Sequence, residues 1–206
     1  MNSLNILSGG AAQGLVASLA PRFSELTGFD IAGEFGAVGG MADKLRKGVP
    51  TDIVILTAKM IADLARENLV VRASISDVGL VETAIAVRAG DCLVTVNDAA
   101  ALRAALLAAD AIFVPDTKAS TAGIHVASVL QQLGIADEVA ARLKIFPNGA
   151  TAMRQLAATD AVRPIGCTQT TEIVSTKGVV LSGPLPPGCE LSTVYTAAVT
   201  TRAANA

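Results

Sequence analysis

The chain has 206 residues and a formal net charge of −2; 51% of its residues are hydrophobic and 17% charged. That excludes a disordered polypeptide and supplies core enough for one large domain or two small lobes. Aromatic residues make up only 3%, with one Tyr and no Trp, so the core must be aliphatic and the stacking platforms that hold single-stranded nucleic acid are missing.

The elements alternate from the start. A strand over 5–7 runs into Ser8-Gly9-Gly10 and then a helix over 11–27, whose stripe of Leu15, Leu19, Phe23 and Leu26 is expected to face inward. Gly28 stops that helix at the position after its last turn. A second strand over 29–35 leads through Gly36-Ala37-Val38-Gly39-Gly40 into a helix over 38–47, ended by Gly48 and Pro50. The third strand, 52–56, is an unbroken apolar run after Asp52, as buried parallel strands tend to be. Thr57 then caps a helix carrying Ile61 and Leu64. This βαβαβα order implies a parallel sheet with helices on its faces.

A long apolar strand over 81–87 crosses out of that unit. Asn97 opens an alanine-rich helix to 109, and a strand follows over 111–114. After the loop 115–119, Ser120 or Thr121 caps a helix with the stripe Val126, Val129, Leu130 and Leu133. A helix over 136–143 and a strand over 144–146 precede the turn Pro147-Asn148-Gly149 and a helix carrying Met153 and Leu156. Strands follow over 163–167, 178–182 and 191–200, and the last residues are expected to fray.

Five polar or glycine-rich loops each follow a strand and precede a helix: Ser8-Gly9-Gly10, 36–40, 118–121, 147–149 and 168–170. In open α/β sheets ligands sit outside the carboxyl ends of the strands. Helix N-termini gathered there favour an anion, through backbone N–H groups and dipoles rather than fixed charges. The same loops also read as tight turns with ordinary caps. No GxGxxG, Walker or metal-ligand spacing is present, so neither a cofactor nor a metal is implied. His125, early in its helix, and Glu172, in a first helical turn, are the candidates for proton transfer, each with a structural alternative. Cys167 at a strand end reads as a buried, inert thiol. Cys92, Cys167 and Cys189 are odd in number and include no CxxC, so they form neither a disulfide framework nor a zinc site.

Lys44-Leu45-Arg46-Lys47 is the one basic cluster and reads as a solvated helix end; no nucleic-acid partner follows from it. No run approaches the length of a membrane span, and no basic, apolar leader precedes the first strand. The expectation is no membrane insertion and a cytoplasmic location as written, or a periplasmic one if an export signal has been removed.

The stretches Leu4 to Gly10, Gly28 to Gly40, Leu45-Arg46-Lys47-Gly48-Val49-Pro50-Thr51-Asp52-Ile53-Val54-Ile55, Ser120-Thr121-Ala122-Gly123-Ile124-His125 and Leu133-Gly134-Ile135 together resemble the molybdate-binding-protein-like group of type II periplasmic solute-binding proteins. Residues 166–173 and Leu181-Ser182-Gly183-Pro184-Leu185-Pro186 match a sub-branch similar to aconitate isomerase. The resemblance implies a two-lobed α/β fold with the ligand cleft between lobes: 1–80 plus 190–206 as lobe one, 81–174 as lobe two, and 175–189 as a return segment not assigned to either. It implies a small anionic ligand and, for an exported binder, a transporter permease as partner. The serine hydroxyls of molybdate binders fall near Ala11 and near Ala37 or Val38 here, and the tyrosine expected after Cys167 is replaced by Thr168 or Gln169. Losing those donors costs about 1–3 kcal/mol each for a buried dianion. The implied ligand is therefore an organic anion, a di- or tricarboxylate, lined by Ser8, Gly9, Gly10, Ala11, Ala37, Val38, Gly39, Ser120, Thr121, Asn148, Thr168 and Gln169. The alternative is a cytoplasmic carbon–carbon double-bond isomerase of an unsaturated carboxylate, with His125 or Glu172 as the base.

Overall fold

The computed structural model describes Asn2 to Ala204; the fraying expected at the extreme C-terminus, at Asn205 and Ala206, lies outside the described residues. The chain divides into two units, one formed by the segments up to Leu80 and from Thr193 on, the other by Val81–Ser192. The segment 175–189, left without a lobe by the resemblance, and residues 190–192 both lie in the second unit.

In unit one, β1 (Asn2–Gly9) pairs in parallel with β2 (Phe29–Gly36) on one side and β3 (Ile53–Thr57) on the other, and β3 pairs antiparallel with β9 (Ser192–Val199). Helix α1 (Gln13–Thr27) follows β1 after a 3-10 turn at Gly10–Ala12, α2 (Val38–Arg46) follows β2, and α3 (Ala58–Arg66) follows β3. Asp52 pins the start of β3: its buried carboxylate accepts from the Asn5 N–H at 2.8 Å and the Ala204 N–H at 2.9 Å.

The inward stripe expected on α1 is a correction. Leu15, Leu19 and Leu26 are 44, 53 and 74% exposed, and Val16 is the buried residue of the helix. Pattern alone names an apolar stripe but not what covers it, and β2, the strand α1 packs against, is itself exposed along half of its length. The basic cluster ending α2 is paired rather than merely solvated. Arg46 binds Glu67 at 2.8 Å and Asp43 at 3.2 Å, and Lys44 pairs with Glu34.

In unit two, β4 (Ser76–Arg88), whose first residues belong to unit one, pairs antiparallel with β7 (Pro164–Gln169) and β8 (Val179–Pro184). Strand β5 (Ala111–Pro115) lies in parallel between β7 and β6 (Leu143–Phe146). The strands alternate cleanly. Ile85, Ile112, Val114 and Ile165 feed one core with α4 (Ala99–Ala108), α5 (Thr121–Gln132) and α6 (Ala136–Val139). Ala84, Ala86, Ala111 and Phe113 feed the opposite core with α7 (Gly149–Ala158) and α8 (Thr170–Val174). The strand expected over 81–87 starts five residues earlier. The helix expected over 136–143 breaks into α6 and a 3-10 turn at Ala140–Arg142, because Leu143 already belongs to β6. All three cysteines are free, Cys92 exposed and the others buried; burial pushes the Cys167 thiol up to about 12, which keeps it protonated and inert.

Candidate functional site

Because β1, β2 and β3 run in parallel, their loops leave one end of the unit-one sheet together. Gly9 pairs with Gly36, so the first two loops are neighbours. A Cβ placed on Gly9 would stand 2.8 Å from the Tyr195 ring and 3.2 Å from a Val38 methyl, so only glycine lets them close up. Tyr195, 4% exposed on β9, is a wall of this loop set that sequence reasoning missed. The available signal was the chain's one tyrosine set in a strand of small residues.

Ser8 is fully buried and its hydroxyl donates to the Gly9 carbonyl at 2.9 Å, so it serves the turn rather than a ligand. Ala11 and Val38 are buried, Gly10, Ala37 and Gly39 half-buried.

In unit two, β5, β6 and β7 are parallel and release the other three loops at one end. Asp116 shapes the first. Its carboxylate accepts the N–H groups of Lys118 and Ala119 at 2.7 and 2.9 Å, which hold it below the usual carboxylate range. Asn148 caps α7, its side-chain oxygen accepting from Thr151 N–H at 2.8 Å. The buried Thr168 hydroxyl donates to Glu172 at 2.6 Å. Gln169 is buried, ends β7 and precedes α8. His125 is half-buried, its Nε2 donating to the Cys189 carbonyl at 2.8 Å. Thr168, Gln169, Glu172 and the start of α7 therefore meet, while His125 turns toward the Pro-rich segment before Cys189.

The helix starts sort into two kinds. Thr57, Asp98 and Asn148 cap α3, α4 and α7 with their own side chains. Ala37 before α2 and Ser120 before α5 make no side-chain cap. The cap expected from Ser120 or Thr121 is thus not formed. The first helical bonds are Met41 N–H to Ala37 and Ile124 N–H to Ser120, so the N–H groups of residues 38–40 and 121–123 have no partner within their helices. Helix α2 in unit one and α5 in unit two thus follow a candidate loop and start uncapped; α1 also lacks a side-chain cap but runs on from the 3-10 turn Gly10–Ala12, where the Gln13 N–H bonds to the Gly10 carbonyl. Among the described residues no cluster of side chains suits a metal ion, and no helix is long and apolar enough to cross a membrane.

Residues 4–206 match the family described as bacterial extracellular solute-binding protein. A Pseudomonas protein described as aconitate isomerase is 22% identical over 213 residues, spanning 98% of this chain and 77% of that protein. Among solved structures, the Azotobacter vinelandii periplasmic molybdate-binding protein superposes with a TM-score of 0.80 at 18% identity, over 98% of this chain and 87% of that one. The sulfate-binding protein SubI of Mycobacterium tuberculosis H37Rv superposes with a TM-score of 0.73 at 18% identity, over 99% and 77%. At these identities the superpositions establish the fold, the two-lobed α/β arrangement of type II periplasmic binding proteins.

Proposed function

We propose that this chain, which belongs to the family of bacterial extracellular solute-binding proteins, binds a small organic anion of the di- or tricarboxylate class at uncapped helix starts, that of α5 in unit two first among them. The observation that carries the reading is the uncapped start of α5, matched in unit one by that of α2, which leaves backbone N–H groups for an anion where α3, α4 and α7 use their own side chains. Hydroxyl chemistry favours a carboxylate over a tetrahedral oxyanion. Ser8 spends its hydroxyl on Gly9, and Ala11 and Ala37 offer none. A buried dianion would forgo about 1–3 kcal/mol for each absent donor. The solved relatives named for molybdate and sulfate support anion binding in general, and the relative named aconitate isomerase supports the carboxylate class. In an exported form the partner would be a membrane permease.

A second reading, a carbon–carbon double-bond isomerase, is favoured by that same relative and by His125, whose Nδ1 could take a proton from one carbon and return it to another.

Thermal unfolding in the presence of trans-aconitate, citrate, sulfate and molybdate tests both. Occupancy at about 100 times Kd adds roughly 2.7 kcal/mol of stability. Stabilisation by the carboxylates is expected; stabilisation by molybdate alone would overturn the carboxylate assignment. Incubation of trans-aconitate with the protein in D₂O should leave its proton spectrum unchanged. Deuterium uptake into the carbon skeleton would replace the binder by the isomerase.

A further inference from the structure

Glu172 is a carboxylate set inside the unit-two loops, 5% exposed. The Thr168 hydroxyl donates to its Oε2 at 2.6 Å, and the backbone N–H groups of Gln169, Ala150 and Gly149 also bond to it. Two of those N–H groups open α7, so the start of α7 is closed twice, by the Asn148 side chain and by the carboxylate of Glu172. The cradle is built for it. A Cβ on Gly149 would fall 2.0 Å from Glu172 Oε2 and 2.1 Å from Thr168 Oγ1.

Among the described residues no neighbouring cation neutralises this charge. Helix α7 carries Arg154, which is exposed and bonded to the Thr151 hydroxyl. Strands β7 and β8 carry no charged residue. The unit-two part of β4 carries Glu82, which is exposed, and Arg88, which holds the Thr159 and Ala161 carbonyls and Asp91. Lys177, beyond α8, is exposed. Glu172 is held by hydrogen bonds alone.

We propose that anion binding at the unit-two loops is coupled to protonation of Glu172, so that the chain takes up a proton at this carboxylate as the ligand binds. The inference rests on the anion-binding reading above and adds a proton to it. Thr168 and Gln169 belong to the same loop set that would meet the ligand, and both bond to Glu172. A second negative charge near a buried carboxylate favours its neutral form. Protonation breaks no contact. The Thr168 hydroxyl can reverse its bond and accept from the carboxyl, while the N–H donors keep the remaining lone pairs. Burial already pushes the Glu172 carboxyl upward from its ordinary value, against its hydrogen bonds.

The sign follows. The ligand raises the titration midpoint of Glu172, so affinity falls as pH rises between the free and the bound midpoints, by up to tenfold per pH unit, and is flat outside them. Calorimetric titration of the full chain with fumarate and with sulfate, both fully ionised from pH 6 to 8, in buffers of different protonation enthalpy, reads the proton directly. The expected result is uptake of up to one proton by the wild type, and pH-independent binding without uptake by Glu172→Gln. Binding without uptake by the wild type, or equal uptake by both proteins, would overturn the coupling and leave the binder standing. No binding of either anion would overturn both. Should Glu172→Gln fail to fold, carbon-13 NMR of the wild-type glutamate carboxyls replaces it. A buried midpoint that rises with ligand supports the coupling, and one that does not move sinks it.

Discussion

Gly149→Ala is expected to destabilise unit two by about 3–5 kcal/mol, the range seen when a buried charge loses its partners. The residue needs no unusual backbone angle; it needs the absence of a side chain. A methyl group would meet Glu172 Oε2 at 2.0 Å and Thr168 Oγ1 at 2.1 Å. Both are ends of side chains, yet neither can swing away cheaply. Thr168 is fully buried, Glu172 nearly so, and displacement breaks their mutual bond and the N–H bonds from Gly149 and Ala150. Urea unfolding measures the loss. A value below about 1 kcal/mol would mean that the carboxylate finds other partners at little cost.

Gly123→Ala should cost about 3 kcal/mol for a different reason, overpacking against rigid backbone. Its Cβ would stand 2.2 Å from the Asp116 carbonyl oxygen and 2.5 Å from that of Pro115. Pro115 ends β5 and Asp116 follows it, and their backbone carbonyls cannot rotate aside. Helix α5 would have to lift, and Val126, Val129 and Leu130 would leave the core they share with Ile112 and Ile165. The lift also displaces the N–H groups of 121–123, so anion affinity should fall with stability. A variant as stable as the wild type would show that α5 slides freely over the β5 loop.

The order of elements was legible because apolar runs and their stops are local. Asp52 before an apolar run and Thr57 after it frame β3, and Gly28, Gly48 and Gly134 adopt positive φ just past helix ends. The burial of Cys167 was equally plain from its apolar strand. What the sequence hides is partnership. Leu15 and Leu19 form an apolar stripe on paper, but burial depends on which strand lies beneath α1 and how much of it. Ser120 looks like a cap and is not one; Asn148 looks like a ligand contact and is a cap. Glu172 looks like a base at a helix start, yet its carboxylate fills the start of a different helix, α7, through residues more than 20 positions away in the chain. Each of these is a choice of partner among chemically equal options, settled by packing. Tyr195 shows the same limit, since it reaches the first loop only because β9 lies beside β3.

Thr121→Pro tests the central assignment most directly. Thr121 is the first residue of α5, where proline is tolerated because that N–H has no helical partner. Ser120 before it sits at φ −95° and ψ 135°, which suits a residue preceding proline. The substitution removes an N–H and a hydroxyl from the loop with little cost to the helix. Asn148→Ala is the control, removing a real cap for about 1 kcal/mol of stability. Titration of trans-aconitate into Thr121→Pro should show Kd raised at least tenfold, about 1.4 kcal/mol, with unfolding free energy within about 0.5 kcal/mol of wild type. An unchanged Kd in a folded Thr121→Pro protein would contradict the anion site at the start of α5.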